Sequence, residues 1–225
     1  MRRHLMRGGK IDRLAPLIWY CGAKQDPAVT DRLVDLTGKG YDLTLSNVAV
    51  GSSGAVNFLR WCCCGMCKKP FVLKSFTIIC RRTGFEDANG GVGDNAVVSK
   101  GDLTAYPSGA FFLYRTVRGI RMETGAGGKR ACAVNDASTV IDTAFAADGI
   151  SIMTNDVYYM YGSENKVRLA HGDTPDNSDK KLVVNSCLGS SSRFTLKFSL
   201  HDLIIFNHKL TEDEIKEVVE TMINV

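Results

Sequence analysis

Three tyrosines, Tyr158, Tyr159 and Tyr161, follow the polar pair Asn155-Asp156. An aromatic plate for the apolar face of a sugar ring, flanked by amide or carboxylate groups for its hydroxyls, is the set a carbohydrate site needs. Alternation along a strand puts Tyr159 and Tyr161 on one face and Tyr158 on the other. Tyr159, Tyr161, Asn155 and Asp156 are therefore the candidate glycan-binding residues. Tyrosine is also an ordinary strand residue, so plain packing accounts for the same set.

Two acidic loops have the composition of a calcium site, which wants six to eight oxygen ligands. Asp87-Ala88-Asn89-Gly90, with Asp94 and Asn95 behind it, is one; Asp173, Asp176, Asn177 and Asp179 form the other. Asp87, Asn89 and Asp94 are the candidate calcium ligands. The same residue types are what exposed turns prefer.

Charge is unevenly placed. Lysine and arginine total 28 against 24 acids, and the whole excess of four lies in Arg2, Arg3, Arg7 and Lys10, a stretch without a single acid. The chain after residue 10 is neutral, and a basic arm over residues 1–12 ahead of a domain over 13–225 suits docking to an acidic surface, here other protein subunits of an assembly, with nucleic acid the less favoured partner. A solvated tail is the alternative. No apolar run follows the arginines as a secretory signal requires, and no stretch approaches the roughly 20 apolar residues of a membrane span. The expectation is synthesis in the cytoplasm, with any surface location reached through assembly or lysis.

Of the eight cysteines, four crowd into Cys62-Cys63-Cys64-Gly65-Met66-Cys67. Cys64-x-x-Cys67 has zinc-knuckle spacing, but no second pair exists to complete a site. Reduced, partly buried thiols are the favoured reading, ahead of a metal site or a disulfide.

Catalytic patterns are missing. The seven glutamates form no carboxylate pair on a strand of the sort a glycosidase needs. Gly51-Ser52-Ser53-Gly54 is one residue short of a nucleophile elbow, Gly125–Arg130 lacks the spacing of a phosphate loop, and the histidines are scattered. The chain reads as a non-enzyme.

The elements that must position these residues are mostly strands. Leu14–Cys21 is an apolar run, and Phe76–Arg81 and Ala110–Val117 are further strands. Ile150–Thr154 and Val157–Tyr161 flank a two-residue turn as a hairpin. Phe194, Leu196, Phe198 and Leu200 alternate strictly with polar residues, and Leu203–Phe206 is apolar on both faces. Loops are expected at Gly84–Asn95 and His171–Lys180. Thr211-Glu212-Asp213-Glu214 has the form of a capping box, and Ile215, Val218, Val219 and Met222 fall on one helical stripe. Many short strands and one terminal helix predict an all-β, two-sheet antiparallel sandwich with a C-terminal α-helix.

The turn Asp35-Leu36-Thr37-Gly38-Lys39-Gly40, leading into Tyr41–Asn47, and the closing strand–helix segment Phe198–Ile215 resemble the concanavalin A-like lectin/glucanase jelly roll. They are most similar to its laminin-G-like modules in adhesion proteins and phage virion parts. The resemblance implies a jelly roll over 13–225 and a non-catalytic recognition or adhesion module, possible calcium, and a place in a phage virion or other surface assembly. A purely structural protein decorating a capsid or tail through its basic arm is the alternative.

Overall fold

The computed structural model describes residues 9–50, 54–58, 63–87, 95–102, 108–116, 119–126, 129–134, 148–164, 166–169, 180–185 and 196–224. Within them the chain is an antiparallel β-sandwich with one helix against its back. Numbered in chain order, the first sheet runs β2 (Arg32–Leu33), β3 (Leu43–Ser46), β6 (Cys64–Cys67), β15 (Leu182–Val184), β8 (Asn95–Asp102), β9 (Ser108–Thr116), β10 (Gly119–Ala126) and β11 (Lys129–Val134). The second runs β14 (Lys166–Leu169), β13 (Val157–Met160), β12 (Gly149–Thr154), β7 (Thr77–Asp87), β16 (Leu196–Phe206), β5 (Val56–Phe58) and β4 (Ala49–Val50), and β1 (Ile18–Cys21) also pairs with β16. β11 pairs with β10 on one side and β14 on the other, so the ladder passes from one sheet to the next without a break. That edge of the sandwich is thus closed, which removes the hazard of unpaired strands there.

The central ladder is β7 against β16, and its two irregularities decide which side chains face inward. Between Leu200↔Arg82 and Asp202↔Arg81 the strand β16 carries one extra residue, His201. The bulge shifts the pleat by one, so Phe198 and Leu200, then Leu203 and Ile205, all reach the interior. On β7, Gly84 and Phe85 together oppose the single Phe198, one extra residue, and Gly84 takes φ 66, a left-handed conformation that favours glycine. This bulge lets β7 continue to Asp87, into the segment expected to be a loop from Gly84 onward.

Between the sheets lies the main core. Leu43, Val98, Leu182 and Val184 of the first sheet meet Phe58, Ile78, Met153, Tyr158, Phe198 and Leu203 of the second, all essentially inaccessible. Phe58 stacks on Phe198 with ring centroids 5.0 Å apart. A second apolar layer covers the other face of the second sheet, where Trp19, Ile79, Ile152, Ile204 and Phe206 pack beneath helix α2 (Glu212–Ile223). Its contacts Ile215, Val218, Val219 and Met222 are all buried, as the helical stripe predicts. The capping box forms too: Thr211 Oγ1 accepts from Glu214 N at 3.3 Å, and Glu214 Oε2 accepts from Thr211 N at 2.8 Å.

Lys10 opens a short helical turn, α1 (Lys10–Arg13), that lies against α2. Ile11 is buried in the helix layer and Arg13 pairs with Glu217, so ordered packing already includes residue 11. Arg2, Arg3 and Arg7 lie outside the described residues.

Candidate functional site

The hairpin β12–β13 turns through Asn155 and Asp156, with Met153 opposite Tyr158 and Ile152 opposite Tyr159. Alternation then separates the tyrosines as the sequence implies. Tyr158 is fully buried between the sheets, whereas Tyr159 and Tyr161 face the helix side. There they line a cavity of about 250 Å³ with Lys166 of β14 and Glu212, Asp213 and Lys216 of the first turns of α2.

Geometry in this cleft follows from two ladders and one cap. Tyr159 pairs with Lys166 across β13–β14, and the Lys166 ammonium lies 5.0 Å from the centre of the Tyr159 ring, a cation–π distance. The same ammonium forms an ion pair with Glu212. The Lys166 hydrogen bond and charge hold the Glu212 carboxyl below its ordinary range. Burial, then Glu212 and Tyr161, pushes the Tyr159 phenol upward, so it is a neutral donor and acceptor near neutral pH. The cleft therefore offers two aromatic faces, two carboxylates and two ammonium groups. Among the described residues its lining contains no histidine, cysteine or serine.

Asn155 and Asp156 are spent elsewhere. Asn155 Oδ1 accepts from Phe76 N at 2.8 Å and its amide donates to Lys74 O at 2.7 Å, fastening the turn to the start of β7. Asp156 accepts from Thr154 Oγ1 and from Lys209 Nζ, each at 2.7 Å. Burial opposes ionisation of Asp156, but Lys209 and Thr154 outweigh it and leave its carboxyl below the usual value. Neither residue lines the cleft. The hairpin thus delivers Tyr159 and Tyr161, and the polar partners come from β14 and α2. Glu212 and Asp213 are legible in sequence only as capping acids, because nothing local says that Lys166, 46 positions earlier, lies beside them.

The Asp35 turn is a structural knot. Asp35 is almost inaccessible at 3% exposure; its Oδ1 accepts from Trp19 N and Thr37 N, both at 3.1 Å, and its Oδ2 from Tyr41 N at 3.2 Å. Asp42 Oδ1 accepts in turn from Asp35 N at 2.9 Å. With its lone pairs taken up by these donors and by Thr37 Oγ1, Asp35 ties β1 to the loop between β2 and β3.

Of the candidate calcium ligands, Asp87 closes β7 opposite Leu196, and Asn89 and Asp94 lie outside the described residues, as do Asp173, Asp176, Asn177 and Asp179. No group of three or more potential metal ligands exists among the described residues. Cys21, Cys63, Cys67 and Cys80 are thiols outside any disulfide: Cys63 Sγ donates to Asn47 O at 2.7 Å, and Cys67 Sγ contacts Lys69 O at 3.6 Å. Under the helix, burial first and Asp202 second push the Cys21 thiol up to about 12.

No family model matches the sequence, and no curated protein matches it by sequence. Solved structures do match in shape. A Trypanosoma rangeli sialidase in complex with a difluorinated nononic acid superposes with a TM-score of 0.62 at 11% identity, over 90% of this chain and 32% of that one. A structure of botulinum neurotoxin type C, a toxin whose cell entry depends on interaction with two ganglioside molecules, gives 0.61 at 9% identity, over 95% and 53%. The binding domain of botulinum neurotoxin DC in complex with rat synaptotagmin II gives 0.61 at 8% identity, over 92% and 52%. The chain thus spans about a third of the sialidase and half of the toxin chains it matches. At such identities the likeness is one of fold: an all-β sandwich shared with these proteins.

Proposed function

We propose that this chain is a non-catalytic, lectin-like recognition module that binds a glycan in the cleft between β13, β14 and the start of α2. The observation that carries the reading is the convergence there of Tyr159 and Tyr161 with the carboxylates of Glu212 and Asp213 and the ammonium groups of Lys166 and Lys216. Aromatic faces would take the apolar side of a sugar ring, and carboxylates and ammoniums would take its hydroxyls. The ganglioside dependence of the type C toxin, which shares this fold, supports carbohydrate as the ligand class. The fold alone does not name the ligand, since sites are grafted onto folds.

The test is a broad glycan array followed by calorimetry, with Tyr159→Ala as control. The expected outcome is a binding hit that weakens tenfold or more in Tyr159→Ala, while the melting temperature stays within a few degrees of wild type. Silence of the folded protein across the whole panel, or undiminished binding by Tyr159→Ala, overturns the reading.

The module serves a larger surface assembly, such as a phage virion, with Arg2, Arg3 and Arg7 contributing the charge that docks it to neighbouring subunits. Support for this is the acid-free basic run at residues 1–10. Removing residues 1–8 should abolish co-assembly and leave thermal stability nearly unchanged; unaltered incorporation of the truncated chain would refute it.

A further inference from the structure

Arg82 sits on the inward pleat of β7, alongside Cys80 and Ile78, in the middle of the sandwich, and it is completely inaccessible at 0% exposure. One of its five N–H groups is accounted for by a bond from Nη1 to Ser151 Oγ at 2.6 Å. Nε and Nη2 are buried and meet no hydrogen-bond acceptor among the described residues. These two nitrogens form the side-on edge of the guanidinium, whose parallel N–H bonds match the two oxygens of a planar oxyanion.

Among the described residues no carboxylate pairs with Arg82. Ser151 Oγ lies 3.2 Å from the Tyr158 hydroxyl and contacts the Met160 sulfur at 3.4 Å, and the Cys80 thiol and Tyr158 hydroxyl also interact with the guanidinium, so its near neighbours are hydroxyls, a thiol and a thioether. Among the described residues, Cys80 and Tyr158 are ionisable groups beside Arg82. Burial is the largest influence on each and keeps both protonated, against the opposing pull of the guanidinium. Elsewhere the chain shows the ordinary solution, with Asp202, also buried, paired to Arg81 at 2.7 Å on the opposite face of the same ladder. A buried charge with neither ion pair nor complete hydrogen bonding is the arrangement that native interiors avoid.

We propose that Arg82 forms an internal anion site, in which its Nε and Nη2 hold one small planar oxyanion of formate or nitrate size between the two sheets. Ser151 and Tyr158 keep the guanidinium turned so that this edge faces the interior. The anion is part of the folded state, so its binding adds to stability by mass action.

The experiment uses the full chain in sodium gluconate, with formate substituted for gluconate at constant ionic strength. The melting temperature should rise saturably with formate, by roughly 5–10 °C at a hundredfold excess over its dissociation constant. Arg82→Met, which replaces the charge by an apolar chain of similar volume, should remove that response. In a parallel titration of the wild type, the arginine Nε–H resonance that vanishes in Arg82→Lys should move with the same midpoint as the thermal response. This second readout stands even if Arg82→Met fails to fold. An Nε–H signal indifferent to formate, or an equal formate response in Arg82→Met, would overturn the proposal.

Discussion

Two apolar layers share the second sheet, and they differ in what covers them. The layer between the sheets is assembled from strands spread over most of the chain, and it encloses cations: Arg82 and also Lys100, whose ammonium lies 4.3 Å from the Phe71 ring and donates to the Lys180 carbonyl. The layer under α2 is covered by a single twelve-residue helix and the turn at Ile11. Where that helix begins, coverage stops, and the cleft of Tyr159 and Tyr161 opens at its margin. A sheet covered by another sheet leaves no free rim in its middle, whereas a helix laid on a sheet always has an edge. The fold therefore puts the most exchangeable chemistry at the border of its thinner layer.

Substitutions should separate the layers by magnitude. Phe198→Ala removes a ring stacked at 20° on Phe58 in the inter-sheet core and should cost about 3–5 kcal/mol, read as a lower denaturant midpoint. A loss below about 1 kcal/mol would mean the two sheets do not close on that ring. Met222→Ala in the helix layer should cost less, about 2 kcal/mol, because an unbranched side chain near the helix end leaves a gap the last turn can partly fill. Equal costs at the two sites would erase the distinction between the layers.

The smallest effect is a pH dependence at the bulge where β16 shifts its pleat. His201 shares a hydrogen bond with Thr83 Oγ1 at 2.7 Å. Burial, and then the Arg81 guanidinium, hold its imidazole below the usual 6.5. The unfolded chain then binds more protons between those two values, so this residue's contribution to stability rises with pH through that window and is lost as pH falls below 6.5. Replacing it by glutamine, His201→Gln, should flatten that part of the stability-versus-pH curve while leaving stability above pH 7 close to wild type. An unchanged slope would assign the acid sensitivity to another group.

Local pattern made much of this legible. The capping box and stripe of α2 were readable because both depend on residues three and four apart, and the hairpin because its turn is bracketed by two β-rich runs. The burial of Leu203–Phe206 followed from their composition. His201 as a bulge was not readable: an extra residue shows only against its partner strand, here more than a hundred positions earlier. The sugar-site residues divided on the same principle. Tyr159 and Tyr161 kept the face that alternation gave them, while Asn155 and Asp156 were drawn to Phe76, Lys74 and Lys209, which no local pattern brings near.

By itself, the sequence determined the type of each strong element and which of its faces is apolar, because both are set by neighbours one to four residues away. Only the tertiary structure decided that Lys166 stands over Tyr159 beside Glu212, that Asp35 serves as a knot, and that Arg82 is shut between the sheets. Those outcomes depend on strand order and register across the whole chain, where a shift of one residue turns every side chain to the other face.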